Sequence, residues 1–292
     1  SGEAEISYKS ARTIYNHLNK ERFDVYLVDI HPGGWFYEVP ATGEKILVNK
    51  ADFSIPLPGG AVHFDAVFVG LHGTPGEDGK MQGYFDMLGL PYTSCNAATS
   101  AITFNKRYTV AVAAFSGIHV AKSVHLFRSQ PWQAADIAAQ LRLPVFVKPN
   151  NGGSSIGMSK VLEAAQLQQA IEKAFQEDDQ VLVEEMIEGR EFTIGVFRAG
   201  GQINTLPMTE VKAHANQAFF DFEAKYKGKS DEQTPADASV HHYEKVSAAA
   251  KKIYEVFNCS GVIRIDFIYN EALDEPFMLE INSVPGQSDA SI

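Results

Sequence analysis

The sequence predicts a mixed α/β and α+β protein in which an N-terminal parallel-sheet unit precedes two units of sheet, loop and helix. Three observations carry this. In the first third, helical spacing gives way to short apolar runs that end in glycine-rich loops. In the middle, a strand, a Gly/Ser turn, a second strand and an amphipathic helix follow one another without long linkers. In the last third, two pairs of strands flank one helix. Composition sets the outer bounds. The 292 residues suffice for two or three modest domains. With 36 acidic against 25 basic side chains the net charge is −11, which argues against a general nucleic-acid binder. A hydrophobic share of 45% is too high for intrinsic disorder. Cys95 and Cys259 lack metal-ligand or redox spacing, which fits a reducing compartment and a cytoplasmic location. No apolar run approaches the ~20 residues needed to span a bilayer, so no membrane span is expected. The start at Ser1 shows neither an initiator methionine nor a signal pattern, and both ends are expected to be trimmed.

In chain order, Ala11, Ile14, Tyr15 and Leu18 give residues 7–20 helical spacing, and a strand is expected over 25–30, ending at His31-Pro32-Gly33-Gly34. A second strand over 66–71 runs into His72-Gly73-Thr74-Pro75-Gly76-Glu77-Asp78-Gly79, and a helix over 81–88 stops before Gly89. This reads as a small parallel sheet with a boundary near Ser94. A helical region follows, with Thr99 and Asn105 as candidate caps. Strands over 145–148, 158–161 and 181–185 then surround a Gly-rich turn at 150–157 and a helix over 163–175. Strands over 192–198, 202–207, 261–269 and 276–281 complete the chain, with a helix over 243–257 between the two pairs. The polar stretch 226–239 reads as a surface loop.

The final hairpin is the most informative region. Period two puts Val262, Arg264, Asp266 and Ile268 on one strand face and Met278, Glu280 and Asn282 together on the other strand. Folding the chain back symmetrically sets Asp266 opposite Glu280 and Arg264 opposite Asn282. Two facing carboxylates need a cation, and Asp, Glu and Asn oxygens suit a hard ion such as Mg²⁺. A solvated hairpin face with Arg264 neutralising one acid is the other reading. Lys148 ends a strand before Asn150-Asn151-Gly152-Gly153-Ser154-Ser155-Ile156-Gly157, whose free amides and hydroxyls could wrap phosphate oxygens. It is neither a Walker A loop nor a dinucleotide-binding turn, and taken alone it also reads as a mobile surface hairpin. Lys106 alone reads as a helix-start lysine. At Val183-Glu184-Glu185-Met186-Ile187 the strand exit could receive a flat purine and Glu191 a ribose hydroxyl, or the segment is an ordinary strand-turn-strand connection.

Taken in order, these segments resemble the ATP-grasp fold, and within it the D-alanine–D-alanine ligase family along nearly the whole chain. The likeness runs through Glu5-Ile6-Ser7, Leu71-His72-Gly73 with Gly76-Glu77-Asp78-Gly79, residues 148–158, Glu223-Ala224-Lys225-Tyr226, Arg264-Ile265-Asp266 and Glu280-Ile281-Asn282. It implies three units, an N-terminal one over 1–94 whose first strand precedes Ser1, a central one over 95–183 with a phosphate lid, and a C-terminal one over 184–292 whose final helix follows Ile292. It implies ATP-dependent joining of two D-alanines for cell-wall precursor synthesis, with D-alanine–D-lactate ligation as the nearest alternative.

The resemblance also implies roles. Lys106, Lys148, Ser154, Ser155 and Lys225 would hold nucleotide, Glu184 with the backbone of Glu185 and Ile187 the adenine, and Glu191 the ribose. Asp266, Glu280 and Asn282 would hold Mg²⁺ or Mn²⁺. Glu5, supported by His72, would meet the first D-alanine ammonium, and Arg264 with the Gly286 amide the oxyanion. Ser291, Ile292 and Lys225 would hold the second carboxylate, and Tyr226 would reach Ser154, which meets Glu5. A homodimer is the assembly implied. In the lid, Asn151-Gly152 stands where many relatives carry other polar pairs.

Overall fold

The computed structural model describes residues 3–152, 156–213, 230–288 and 291. The first unit opens with α1 (Ala4–His17) and a meander of β1 (Val28–His31), β2 (Gly34–Glu38) and β3 (Lys45–Leu47), all antiparallel. The short hairpin β4 (Ile55–Leu57) and β5 (Gly60–Val62) and helix α2 (Lys80–Leu88) follow. Aromatic rings knit this core, with Phe53 edge-on to Phe85 at 5.1 Å and Trp35 edge-on to Tyr84 at 5.2 Å.

This corrects two expectations. The strand ending at His31 turns straight back at Gly34, so it starts an antiparallel hairpin and not half of an α/β repeat. The expected strand over 66–71 contributes one parallel bridge, Val67 to Tyr92. Val67 donates to Pro91 and accepts from Thr93, and among the described residues the ladder goes no further.

Helices α3 (Ala97–Phe104) and α4 (Lys106–Phe115) come next. Asn96 caps α3 by accepting from Thr99 N–H, and Asn105 caps α4 by accepting from Tyr108 N–H. Thr99 is therefore not a cap. Its hydroxyl instead donates to Phe257 O at 2.8 Å, tying α3 to the C-terminal half.

The middle sheet is antiparallel in the order β6-β9-β7-β8, from β6 (Ser123–Phe127), β7 (Val145–Pro149), β8 (Ser159–Val161) and β9 (Gln180–Glu185). Helices α5 (Ala134–Gln140) and α6 (Leu167–Glu177) cover one face. Val145, Val147, Val181 and Val183 point into that core. Alternation therefore turns Lys148, Leu182, Glu184 and His125 to the other face.

The last sheet has six antiparallel strands, β10 (Arg190–Ala199), β11 (Gln202–Thr205), β12 (Thr209–Ala213), β13 (Ser230–Gln233), β14 (Val262–Asn270) and β15 (Glu275–Asn282). Helix α7 (Val240–Val256) packs on it. Part of the polar stretch read as a loop is thus an edge strand, β13, whose Asp231 and Glu232 suit an exposed edge. Ile263, Ile265, Phe267 and Tyr269 are fully buried in the core, leaving Arg264, Asp266 and Ile268 on the opposite face. Cys95 and Cys259 meet in this core as free thiols. Among the described residues no helix is long and apolar enough to cross a membrane.

Candidate functional site

The β14–β15 register places Asp266 opposite Glu280 and Arg264 opposite Asn282. A β-bulge lies between Asp266 and Phe267, and Phe267 pairs with Met278, skipping Leu279. The extra residue flips the strand's alternation, so Met278 is buried on the core face while Glu280 and Asn282 stay with Asp266. Met278 was expected beside Glu280, and the bulge is why it is not.

Asp266 is buried and heavily bonded. Its Oδ1 accepts from Arg264 Nε at 2.9 Å and from the Thr193 hydroxyl at 2.6 Å. Its Oδ2 accepts from Arg264 Nη2 at 3.0 Å and Asn282 Nδ2 at 3.3 Å. Among the described residues no three His, Cys, Asp or Glu side chains gather as a metal-holding group. Two carboxylates and one amide oxygen nevertheless fit Mg²⁺, which is commonly bound by one or two carboxylates and completes its shell with water and substrate phosphates.

The N-terminal unit reaches this hairpin through His72. Its Nδ1 lies 3.0 Å from Val284 O, an acceptor only, so Nδ1 carries the proton and Nε2 accepts from the Ser10 hydroxyl at 2.9 Å. Ser10 Oγ accepts in turn from Gln287 N–H at 3.0 Å, and Ser7 Oγ accepts from His72 N–H at 2.9 Å. Burial, helped by the Arg264 charge, holds the imidazole below its ordinary pKa. His72 thus locks α1, its own loop and residues 284–287 together as a neutral ring. Glu5 lies on the exposed side of α1, paired with Lys9 at 2.8 Å, and the polar contacts of His72 include Ser7, Ser10 and Val284.

Glu77 is the site carboxyl to which the sequence reading assigned no role. Burial first, then the charges of Glu3 and Glu280, push it up to about 8 against the pull of the Gly73 amide and Arg264. Its Oε2 accepts from Gly73 N–H at 2.8 Å. The tight turn before it depends on Gly76, where a Cβ would sit 1.9 Å from Leu71 O. A carboxyl in a glycine-punctuated loop after a short apolar run was the available signal.

On the free face of the middle sheet Lys148 Nζ meets Glu184 Oε1 at 2.5 Å, with side-chain exposures of 14% and 10%. Glu185 is turned away. Its carboxylate takes the Arg142 side chain and backbone N–H, and its own N–H donates to Lys122 O. Met186 N–H donates to Pro144 O, while Ile187, next along, is half-buried with no backbone partner among the described residues. Glu191 lies on β10 opposite Ile268, on the same face as Thr193 and Asp266.

The base of the Gly/Ser turn is anchored. Asn150 accepts from Arg107 N–H, Asn151 donates twice to Asp178 Oδ2, and Lys106 Nζ donates to Gly152 O at 2.6 Å. Gly286 faces Ser291, whose hydroxyl accepts from Ser288 N–H at 3.0 Å. A Cβ on Gly286 would lie 2.5 Å from Ser291 Oγ. Ser154, Ser155, Lys225, Tyr226 and Ile292 lie outside the described residues.

Two family models match this chain, "D-ala D-ala ligase N-terminus" over residues 1–95 and "D-ala D-ala ligase C-terminus" over 106–292. A D-alanine--D-alanine ligase of Parabacteroides distasonis is 42% identical over 291 residues, covering 100% of this chain and 87% of that one. One from Flavobacterium johnsoniae is 41% identical over 292 residues, covering 100% and 89%. Among solved structures, the VanG D-Ala:D-Ser ligase of Enterococcus faecalis superposes with a TM-score of 0.85 at 30% identity, covering 100% of this chain and 90% of that one. D-alanyl-alanine synthetase A of Vibrio cholerae gives 0.86 at 28% identity, covering 100% and 88%.

Proposed function

The chain belongs to the D-alanine–D-alanine ligase family, and from that premise we propose how its residues divide the reaction. It is an ATP-dependent ligase of the ATP-grasp fold that joins two D-alanines into the dipeptide used for peptidoglycan precursors. The carboxylate of one D-alanine attacks the γ-phosphate of ATP, releasing ADP and leaving an acyl phosphate. The amine of the second D-alanine attacks that carbonyl and phosphate departs.

In this reading Lys106 and Lys148 neutralise nucleotide phosphates, with Ser154 and Ser155 closing over them. Glu184 accepts from the adenine amine, the Glu185 carbonyl and Ile187 N–H take the rest of its edge, and Glu191 accepts from the ribose. Asp266, Glu280 and Asn282 hold Mg²⁺ or Mn²⁺, which when bound offsets phosphate charge. Phosphoryl transfer asks chiefly for positioning and charge neutralisation, which this set supplies. Glu5 pairs with the first ammonium, supported by His72, which also holds α1 in place. Arg264 and the Gly286 amide face the developing oxyanion. Ser291, Ile292 and Lys225 take the second carboxylate, while Tyr226, Ser154 and Glu5 close loop upon lid to keep water from the acyl phosphate. The units proposed are 1–94, 95–183 and 184–292. A homodimer through the first is supported by its exposed Leu27, Leu47, Phe68 and Met87.

One observation carries the reading. Arg264, Asp266, Glu280 and Asn282 share a hairpin face that His72 and Glu77 of the N-terminal unit adjoin. The test is ADP release with D-alanine, D-serine, D-lactate and their L-forms, with products separated. Release should require D-alanine, and equimolar D-alanine and D-lactate near neutral pH should give chiefly dipeptide. Tyr226→Phe should raise the depsipeptide share. Predominant depsipeptide from the unmodified protein would overturn the acceptor assignment.

A further inference from the structure

Thr193 sits in the apolar strand β10 directly opposite Asp266, and both are buried. Its hydroxyl lies 2.6 Å from Asp266 Oδ1, the shortest of the four hydrogen bonds on that carboxylate. A hydroxyl this close to an ionised oxygen is a charge-assisted bond, about twice the strength of a neutral one. The other three partners of Asp266 are themselves groups of the proposed chemistry, two nitrogens of Arg264 and the Asn282 amide. Among the described residues, Thr193 is the hydrogen-bond partner of Asp266 from outside that set.

We propose that Thr193 is a positioning residue for metal binding, fixing the rotation of the Asp266 carboxylate so that Oδ2 stands on the side of Asn282, with Glu280 opposite. The inference rests on the reading of Asp266 as a metal ligand. A β-branched side chain suits the role, because its stiff χ1 holds the hydroxyl in one place. Losing an outer-shell hydrogen bond of this kind typically costs roughly 10- to 100-fold in metal affinity.

The test titrates Mn²⁺ into the protein saturated with a non-hydrolysable ATP analogue and reads free Mn²⁺ by electron paramagnetic resonance. Thr193→Val, nearly isosteric, should raise the Mn²⁺ Kd at least about tenfold, and Thr193→Ser should stay within about twofold of the unmodified protein. Should Val at this position prevent folding, Thr193→Ala removes the hydroxyl without adding bulk and carries the same expectation. Asp266→Asn runs alongside. Loss of Mn²⁺ binding in Asp266→Asn with unchanged binding in Thr193→Val overturns the role of Thr193 alone. Unchanged binding in both overturns the metal reading itself.

Discussion

Replacing Lys148 with methionine separates its part in the fold from its part in binding. Lys148 and Glu184 meet at 2.5 Å with little solvent on either. Attraction over that distance is about 7 kcal/mol at an effective dielectric constant near 20, and desolvation of the two groups consumes most of it. The surplus matters less than the asymmetry. Lys148→Met leaves a buried carboxylate with no cation, a loss of about 3–5 kcal/mol, whereas replacing both members by apolar groups is often neutral or better. Lys148→Met should therefore shift the urea midpoint downward by the equivalent of that loss. Lys148→Met/Glu184→Leu should return to within about 1 kcal/mol of the unmodified protein. Nucleotide affinity should not return with it. A charged hydrogen bond to phosphate is worth about 1.5–3 kcal/mol, so the ATP Kd measured by calorimetry should stay roughly 10- to 100-fold weaker in the double variant. Two results would refute the reasoning. Unaltered stability in Lys148→Met would mean that the pair is not a buried dependency, and restored ATP affinity in the double variant, which lacks both side chains, would mean that neither Lys148 nor Glu184 touches nucleotide.

Two further outcomes follow from the site. Glu77 stays neutral in the fold up to about 8, whereas in the unfolded chain it ionises near 4.5, so between those values the native state holds the extra proton. Stability should fall as pH rises through that window, by up to about 1.4 kcal/mol per pH unit. Glu77→Gln should flatten the slope in urea titrations without metal or nucleotide, and equal slopes in both proteins would exclude the effect. Gly286→Ala should push Ser291 Oγ off its Ser288 partner, since the new Cβ would come within 2.5 Å of it. We expect KM for the second D-alanine to rise roughly tenfold, the loss of one charged hydrogen bond, with ATP affinity intact.

Much of this was legible from residue pattern, and the misses have identifiable causes. The facing of Asp266 and Glu280 followed from period two and a symmetric turn, both local properties. Met278 was misplaced because a bulge at one residue leaves no mark in an apolar run. The first unit was read as parallel because alternation at residues 25–30 marks a strand without naming its partner. Thr193 escaped notice because threonine is an ordinary strand residue. Only the pairing of β10 with β14 brings it to Asp266. Glu77 was visible as a letter in a loop, but the charges of Glu3, Arg264 and Glu280 that act on it beside its burial come together only in the fold.

Val284 belongs to the aromatic core of the first unit, although it follows the last strand of the chain. For a protein made from its N-terminus, that is a matter of timing. The ribosome must add roughly 190 residues after the first unit before its missing core residue emerges, about 10–40 s at ordinary rates of synthesis. Until then His72 has no Val284 carbonyl and Ser10 no Gln287 amide. The nascent first unit therefore waits with an open apolar socket, a natural foothold for a chaperone. A gene split anywhere between these segments would yield one piece whose core lacks Val284 and another that carries Val284 without the rest of that core.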